Sequence, residues 1–316
     1  MSFLAEAMTS HDGPHTTRDV IHASERPEKE QSMSDKENAN SPLRITKRNP
    51  GYWRVTFDNP PINLQDPGMI VGVQRLLDQL EADHDVKVVV FDSANEDYFI
   101  SHYDLLRAGE VPMTPGPSGL PFPLHDAAVR LAQSSVISIA SVRGRARCSG
   151  AEFIVSCDMS FASREKAILG HWEVGAGAIP GAGGIEHLLA LVGRSRALEI
   201  VIGSEDFDAD TAERYGWINR ALPDAELDRF VDTLATRISS FNHDAITTAK
   251  ALINKRTHGI PSGADLLEDI AEFSRLAALP DAQARIGILM KQGLQERSDV
   301  ELHLGRYLAD LGANIS

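Results

Sequence analysis

The chain has 316 residues, a formal net charge of −14 and two cysteines. That charge excludes a general binder of nucleic acid or anionic membrane, each of which needs a basic face, but leaves room for a small anionic ligand held by a local cluster of Lys, Arg or backbone N–H groups. Cys148 and Cys157 form neither a disulfide framework nor a zinc set, so no metal and a reducing, cytoplasmic setting are expected. No apolar run has signal-peptide character or membrane-spanning length.

Residues 1–42 are rich in Ser, Glu, Lys, Asp, Asn and His. Such a stretch cannot bury enough apolar surface to offset its ordering entropy, so a disordered tail is expected. His11, His15 and His22 then read as solvated tail residues rather than metal ligands. Residues 44–47 and 52–57 read as strands joined by a turn at Asn49-Pro50-Gly51. Asp66-Pro67 suits a helix start, and Met69, Ile70, Val73, Leu76, Leu77 and Leu80 follow at helical spacing.

The β-branched run 86–91 has the look of a strand covered on both faces. The order then repeats: helix at 124–134, strand at 136–142, short helix at 150–157, strand at 159–162. Alternation of this kind predicts an α/β fold with a largely parallel sheet. From residue 224 onward the pattern is nearly all helical, with helices expected at 225–239, 243–255, 262–278, 280–295 and 300–311. The division expected is therefore a core over 43–240 and a helical region over 241–316. Residues 110–123 carry five prolines and two glycines and cannot be regular structure; they read as either a surface linker or a lid beside a site.

Two places combine backbone geometry with carboxylates. In the first, a strand ending at Val142 runs through Cys148-Ser149-Gly150 into a helix that carries Glu152 in its first turn. Backbone N–H groups at such a start have no partner inside the helix and form a ready oxyanion site. In the second, His171-Trp172-Glu173 precedes the Gly-rich run Ile179-Pro180-Gly181-Ala182-Gly183-Gly184. That run lacks the Gly-Lys-Ser/Thr ending of a phosphate-binding loop.

These residues carry a resemblance. Ile179–Gly184 with Val192-Gly193-Arg194 and Ala197-Leu198-Glu199, the segment Phe207–Arg220, and Asn59-Pro60-Pro61-Ile62-Asn63 together resemble the crotonase (enoyl-CoA hydratase/isomerase) family. The likeness runs from about residue 43 to the end. It implies a spiral of repeated ββα units followed by a helical trimerisation region, assembly as a homotrimer or a hexamer of two trimers, and an acyl-CoA substrate. Coenzyme A would enter as part of that substrate, with no other cofactor. The resemblance further implies catalytic roles for Glu152 and Glu173, the latter aligned through a gap in the turn at 163–167. Oxyanion-hole N–H groups would come from Tyr103 and Ser149, and pocket-lining residues would be His102, Cys148, Gly150, Trp172 and Gly181.

The chain departs from the family at this site. His102-Tyr103-Asp104 stands where Gly-Ala-Asp is usual, Cys148-Ser149-Gly150 where three glycines are usual, and His171-Trp172-Glu173 where Gln-Pro-Glu is usual. Hydration of a 2-enoyl-CoA is the leading expectation, with one carboxyl activating water and the other delivering a proton at the α-carbon. The alternatives are double-bond isomerisation through Glu173 alone, a Ser149-dependent hydrolase in an order resembling Clp-type serine peptidases, and a non-catalytic CoA-binding oligomer. Lys250, Lys255 and Arg256 read as a solvated helix face, with contact to CoA phosphates as the other possibility.

Overall fold

Asn49 turns the chain back on itself: its side-chain oxygen accepts the Gly51 N–H at 2.9 Å. β1 (Leu43–Asn49) and β2 (Tyr52–Phe57) thereby pair antiparallel. In the computed structural model, residues 41–111, 113–257 and 261–315 are described, and Pro42–Ser316 forms one unit. The expected tail, up to residue 40, and with it His11, His15 and His22, lies outside the described residues.

β2 is followed across the sheet by β3 (Val88–Ser93), β5 (Ile137–Val142), β7 (Met159–Ser163) and β10 (Arg220–Leu222), every one of these pairs parallel. A smaller sheet holds β4 (Tyr98–Ile100), β6 (Arg145–Arg147), β8 (Ile168–Gly170) and β9 (Asp206–Asp208). Each pass of the chain lays one strand in each sheet and then a helix. β3 and β4 lead to α2 (Pro123–Gln133), β5 and β6 to α3 (Ser149–Ser156), and β7 and β8 to α4 (Gly184–Val192). This is the ββα spiral expected from the sequence.

The β-branched strands are buried on both faces because successive side chains alternate. Val55, Phe57, Val89 and Phe91 join the main core. Tyr52, Val88, Val90 and Ile139 face the other way, onto Leu227, Val231 and Ala235 of α7 (Asp224–Ser239). α1 (Pro67–Ala82) begins where expected. Asp66 caps it by accepting the Met69 N–H at 2.8 Å, and the six apolar residues picked out by spacing are its buried face.

α5 (Arg194–Gly203) and α6 (Ala209–Tyr215) complete the core, and α8 (His243–Thr257), α9 (Gly263–Ala277) and α10 (Pro280–Lys291) follow α7. Two expected helices are corrected. The one placed at 280–295 stops at Lys291, because Gly293 and Gln295 take positive φ values of 107° and 67°, incompatible with a continuing helix. The one placed at 300–311 is two, α11 (Asp299–Leu302) and α12 (Leu304–Ile315), parted at His303.

The described residues of the Pro-rich stretch form no helix or strand between the 3₁₀ turn at Ala108–Glu110 and the start of α2 at Pro123. It is nonetheless anchored. The buried Asp126 side chain accepts the Ser118 N–H at 2.8 Å, and Leu120 packs with Val129 and Leu266.

Candidate active site

The passage from β6 into α3 is sharp. Cys148 takes φ 48° and ψ −119°, a region that strains any residue with a side chain. Its N–H donates to the Gly170 carbonyl at 2.9 Å, which ties the turn to the end of β8. Ser149 is the first residue of α3, so its N–H has no partner within the helix. Gly150 is required by close approach: a Cβ there would lie 2.2 Å from the Ile100 carbonyl oxygen.

That approach sets the start of α3 against the end of β4, from which the chain continues to Tyr103. Tyr103 bridges Gln65 in parallel fashion. The bonds that make the bridge, Gln65 N–H to His102 O at 2.8 Å and Asp104 N–H to Gln65 O at 3.3 Å, flank Tyr103 and do not use its own N–H. Gln65, Ser149 and Glu152 line one cavity of about 30 Å³ together with apolar side chains including Val73, Leu124 and Phe153.

Glu152 is buried, and one of its oxygens, Oε1, accepts two backbone N–H groups, Ala182 at 2.7 Å and Gly184 at 3.1 Å. The Gly-rich run thus acts as a clamp on the carboxyl. Burial above all, and then the charge of Glu173, push the Glu152 carboxyl up to about 7, while His171 and the two N–H groups pull the other way.

Glu173 lies close by, its Oε1 3.3 Å from Nδ1 of the wholly buried His171. His171 stacks on Trp217, with ring centroids 5.9 Å apart. Burial works against its charged form, but Glu173 and Glu152 together raise its pKa. A Cβ on Gly184 would meet His171 Cε1 at 2.9 Å and Glu152 Cγ at 3.0 Å, so the imidazole edge and the Glu152 side chain share one small volume. Burial holds the Cys148 thiol protonated well above its usual range, next to Glu173.

The structure therefore brings together Glu152, Glu173, Cys148 and the Ser149 amide, with Tyr103 next to the cavity wall at Gln65. The other four residues expected to line the pocket make the following contacts. His102 turns its Nε2 to Glu301 at 2.8 Å. Trp172 packs with Leu289, Leu294 and Val300 under the C-terminal helices. Gly150 lies beneath Ile100, and Gly181 lies against Phe273 with its carbonyl bound to His125 Nε2 at 2.6 Å. The His102 and Trp172 rings meet edge to face with centroids 5.4 Å apart, both against the C-terminal segment.

Lys250 corrects both readings given to it. It is buried, with its ammonium shared among Asp158 at 2.7 Å, Val136 O at 3.0 Å and Leu131 O at 3.1 Å. Lys255 and Arg256 are exposed. Among the described residues the Ser149 hydroxyl has no hydrogen-bond partner and His171 is turned to Glu173, so no serine–histidine pair forms among them. Sequence reasoning missed His125, Trp217, Gln295 and Glu301; their contacts with residues distant in sequence reveal them.

The ββα spiral thus sets two buried carboxyls, Glu152 and Glu173, beside the start of a helix. The sequence profile of the enoyl-CoA hydratase/isomerase family matches residues 47–285. The chain belongs to the enoyl-CoA hydratase/isomerase family and is an enzyme of that kind.

It is 29% identical over 204 residues to the short-chain-enoyl-CoA hydratase of Clostridium acetobutylicum, covering 64% of this chain and 77% of that one. It is 28% identical over 202 residues to the probable mitochondrial enoyl-CoA hydratase of Dictyostelium discoideum, covering 63% and 71%. Among solved structures, a Streptomyces avermitilis protein provisionally named an enoyl-CoA hydratase superposes with a TM-score of 0.79. It is 44% identical, with 84% of this chain and 96% of that one covered. Among the described residues, no helix is long and apolar enough to cross a membrane.

Proposed function

We propose that the protein hydrates a 2-enoyl-CoA, with Glu152 and Glu173 as the catalytic pair and the N–H groups of Tyr103 and Ser149 as the oxyanion hole. The observation that carries this reading is the buried Glu152 carboxyl, held near 7 and clamped by Ala182 and Gly184 beside Glu173. A carboxyl so placed exchanges its proton at working pH. The oxygen of water bonds to the β-carbon, and a proton reaches the α-carbon on the same face. Between them the carboxyls accept one proton from water and deliver one to the substrate. The two N–H groups hold the thioester oxygen while it carries the negative charge.

The reaction is redox-neutral, so it needs no redox cofactor, and coenzyme A enters as part of the substrate. A cytoplasmic homotrimer or hexamer is part of the same reading. Leu189, Leu191, Leu198 and Ile202, exposed on α4 and α5, support association of copies.

Isomerisation is the second reading. It is favoured by Glu173 Oε2, which has no partner among the described residues, whereas Glu152 is gripped. The test is loss of enoyl-thioester absorbance over short, medium, long and aromatic 2-enoyl-CoAs, with Glu152→Gln alongside. Turnover abolished by that substitution supports hydration; no turnover by the folded wild-type protein on any of them refutes it.

A further inference from the structure

We infer that Glu301, on α11, is a positioning residue for the oxyanion hole, acting on Tyr103 through His102. The inference rests on the reading of the Tyr103 N–H as an oxyanion donor.

The segment after α10 returns to the loop that carries Tyr103 and holds it at three places. Glu301 Oε1 meets His102 Nε2 at 2.8 Å. Gln295 Nε2 donates to Asp104 Oδ1 at 2.7 Å, and Gln295 Oε1 accepts the Leu105 N–H at 3.0 Å. Glu301 organises Gln295 as well, because the same Oε1 accepts the Gln295 N–H at 2.7 Å. On its far side the His102 ring uses Nδ1 to bond the Tyr103 carbonyl at 2.9 Å. That contact fixes the tilt of the residue whose N–H would face the substrate.

The same turn reaches the other donor. Arg147 donates to the Glu301 carbonyl and pairs with Asp206 through Nε at 2.7 Å. Arg147 stands two residues before Ser149, so one short helix is joined to the residues leading into both proposed N–H donors.

Glu301 is wholly buried, and His102 and Arg147 are 1% exposed. Taking such groups out of water is costly, and apolar side chains of similar volume would fill the space at least as well. Their placement makes sense as a means of fixing direction, since ion pairs and hydrogen bonds constrain angle where packing alone does not. The sequence carries the complementary sign: His102 occupies a place where the family usually has glycine, so the loop has gained a handle for the C-terminal segment to hold.

A misplacement of about 1 Å costs on the order of 100-fold in rate, and an oxyanion donor is worth about 10²–10³. Glu301→Gln keeps the shape and removes the charge. It is expected to lower kcat by about 10- to 100-fold, with KM changed by less than about threefold.

The experiment uses the full chain with Glu301→Gln, His102→Gln and both together. It measures kcat and KM on a short 2-enoyl-CoA, thermal melting, and the red shift of the absorption band of a bound conjugated dienoyl-CoA, which reports polarisation of the thioester carbonyl. The expected result is a lowered kcat and a reduced red shift in each folded single variant, with the double variant no worse than either. If Glu301→Gln does not fold, His102→Gln reads the same contact from the other side. Folded variants with wild-type kcat and red shift, or with only a lowered melting temperature, overturn the inference while leaving the proposed function intact. A wild-type protein that neither turns over nor shifts the band overturns the oxyanion reading, and the inference with it.

Discussion

The N–H of Ala182 donates to Glu152 Oε1 at 2.7 Å, across 30 residues of chain. With Gly184 on the same oxygen at 3.1 Å, it fixes one carboxyl oxygen and leaves the other for chemistry. Glu152→Gln keeps the size of the side chain but cannot carry a proton between water and substrate. Hydration is expected to fall by about 10²–10⁴ with the protein still folded. Any isomerisation that uses Glu173 alone should survive, as read by separating positional isomers of the product.

The Glu152 carboxyl stands at about 7 in the folded protein against an ordinary 4.5. Hydration should therefore decline as pH rises through about 7, where Glu152 loses its proton. Stability follows the same direction. A pKa raised on folding contributes stability that is complete below the unfolded value and is lost as pH rises through the folded one. Thermal melting of the wild-type protein should drop more between about pH 5 and pH 8 than that of Glu152→Gln.

Ser149→Ala removes a hydroxyl that has no partner among the described residues and keeps the backbone N–H. Turnover of enoyl thioesters should stay within about threefold of wild type, since any residue but Pro supplies that donor. A fluorophosphonate probe should leave Ser149 unlabelled. Labelling together with loss of activity would favour the hydrolase instead.

Gly150→Ala would place a Cβ 2.2 Å from the Ile100 carbonyl oxygen. Backbone cannot yield as a flexible side chain does, so α3 must move away from β4. A loss of about 1–3 kcal/mol or more is expected by chemical denaturation. Any protein that still folds should have lost most of its turnover, because the Ser149 N–H moves with the helix.

Lys250→Ala leaves Asp158 and the carbonyls of Leu131 and Val136 without the ammonium they share. Breaking such a buried pair costs about 3–5 kcal/mol. KM for CoA thioesters measured on the folded fraction should be unchanged, which separates this structural role from contact with CoA phosphates.

Local pattern alone determined much of this protein. The run at 86–91 and the spacing from Met69 to Leu80 fix a buried strand and an amphipathic helix, because periodicity and branching act within a few residues. The turn at Cys148–Gly150 and the Gly-rich run at 179–184 mark a candidate site with Glu152 and Glu173 beside those turns, and the resemblance implies the roles of the two carboxyls. Tertiary structure decided which groups face one another. That Ala182 and Gly184 grip Glu152, that His171 stands between two carboxyls, that Lys250 is buried and that Glu301 holds His102 all depend on pairings far apart in sequence. A lysine bound for solvent and one bound for three buried oxygens are the same letter. Folding alone settles which neighbours remove it from water, and with them the charge, orientation and role of the side chain.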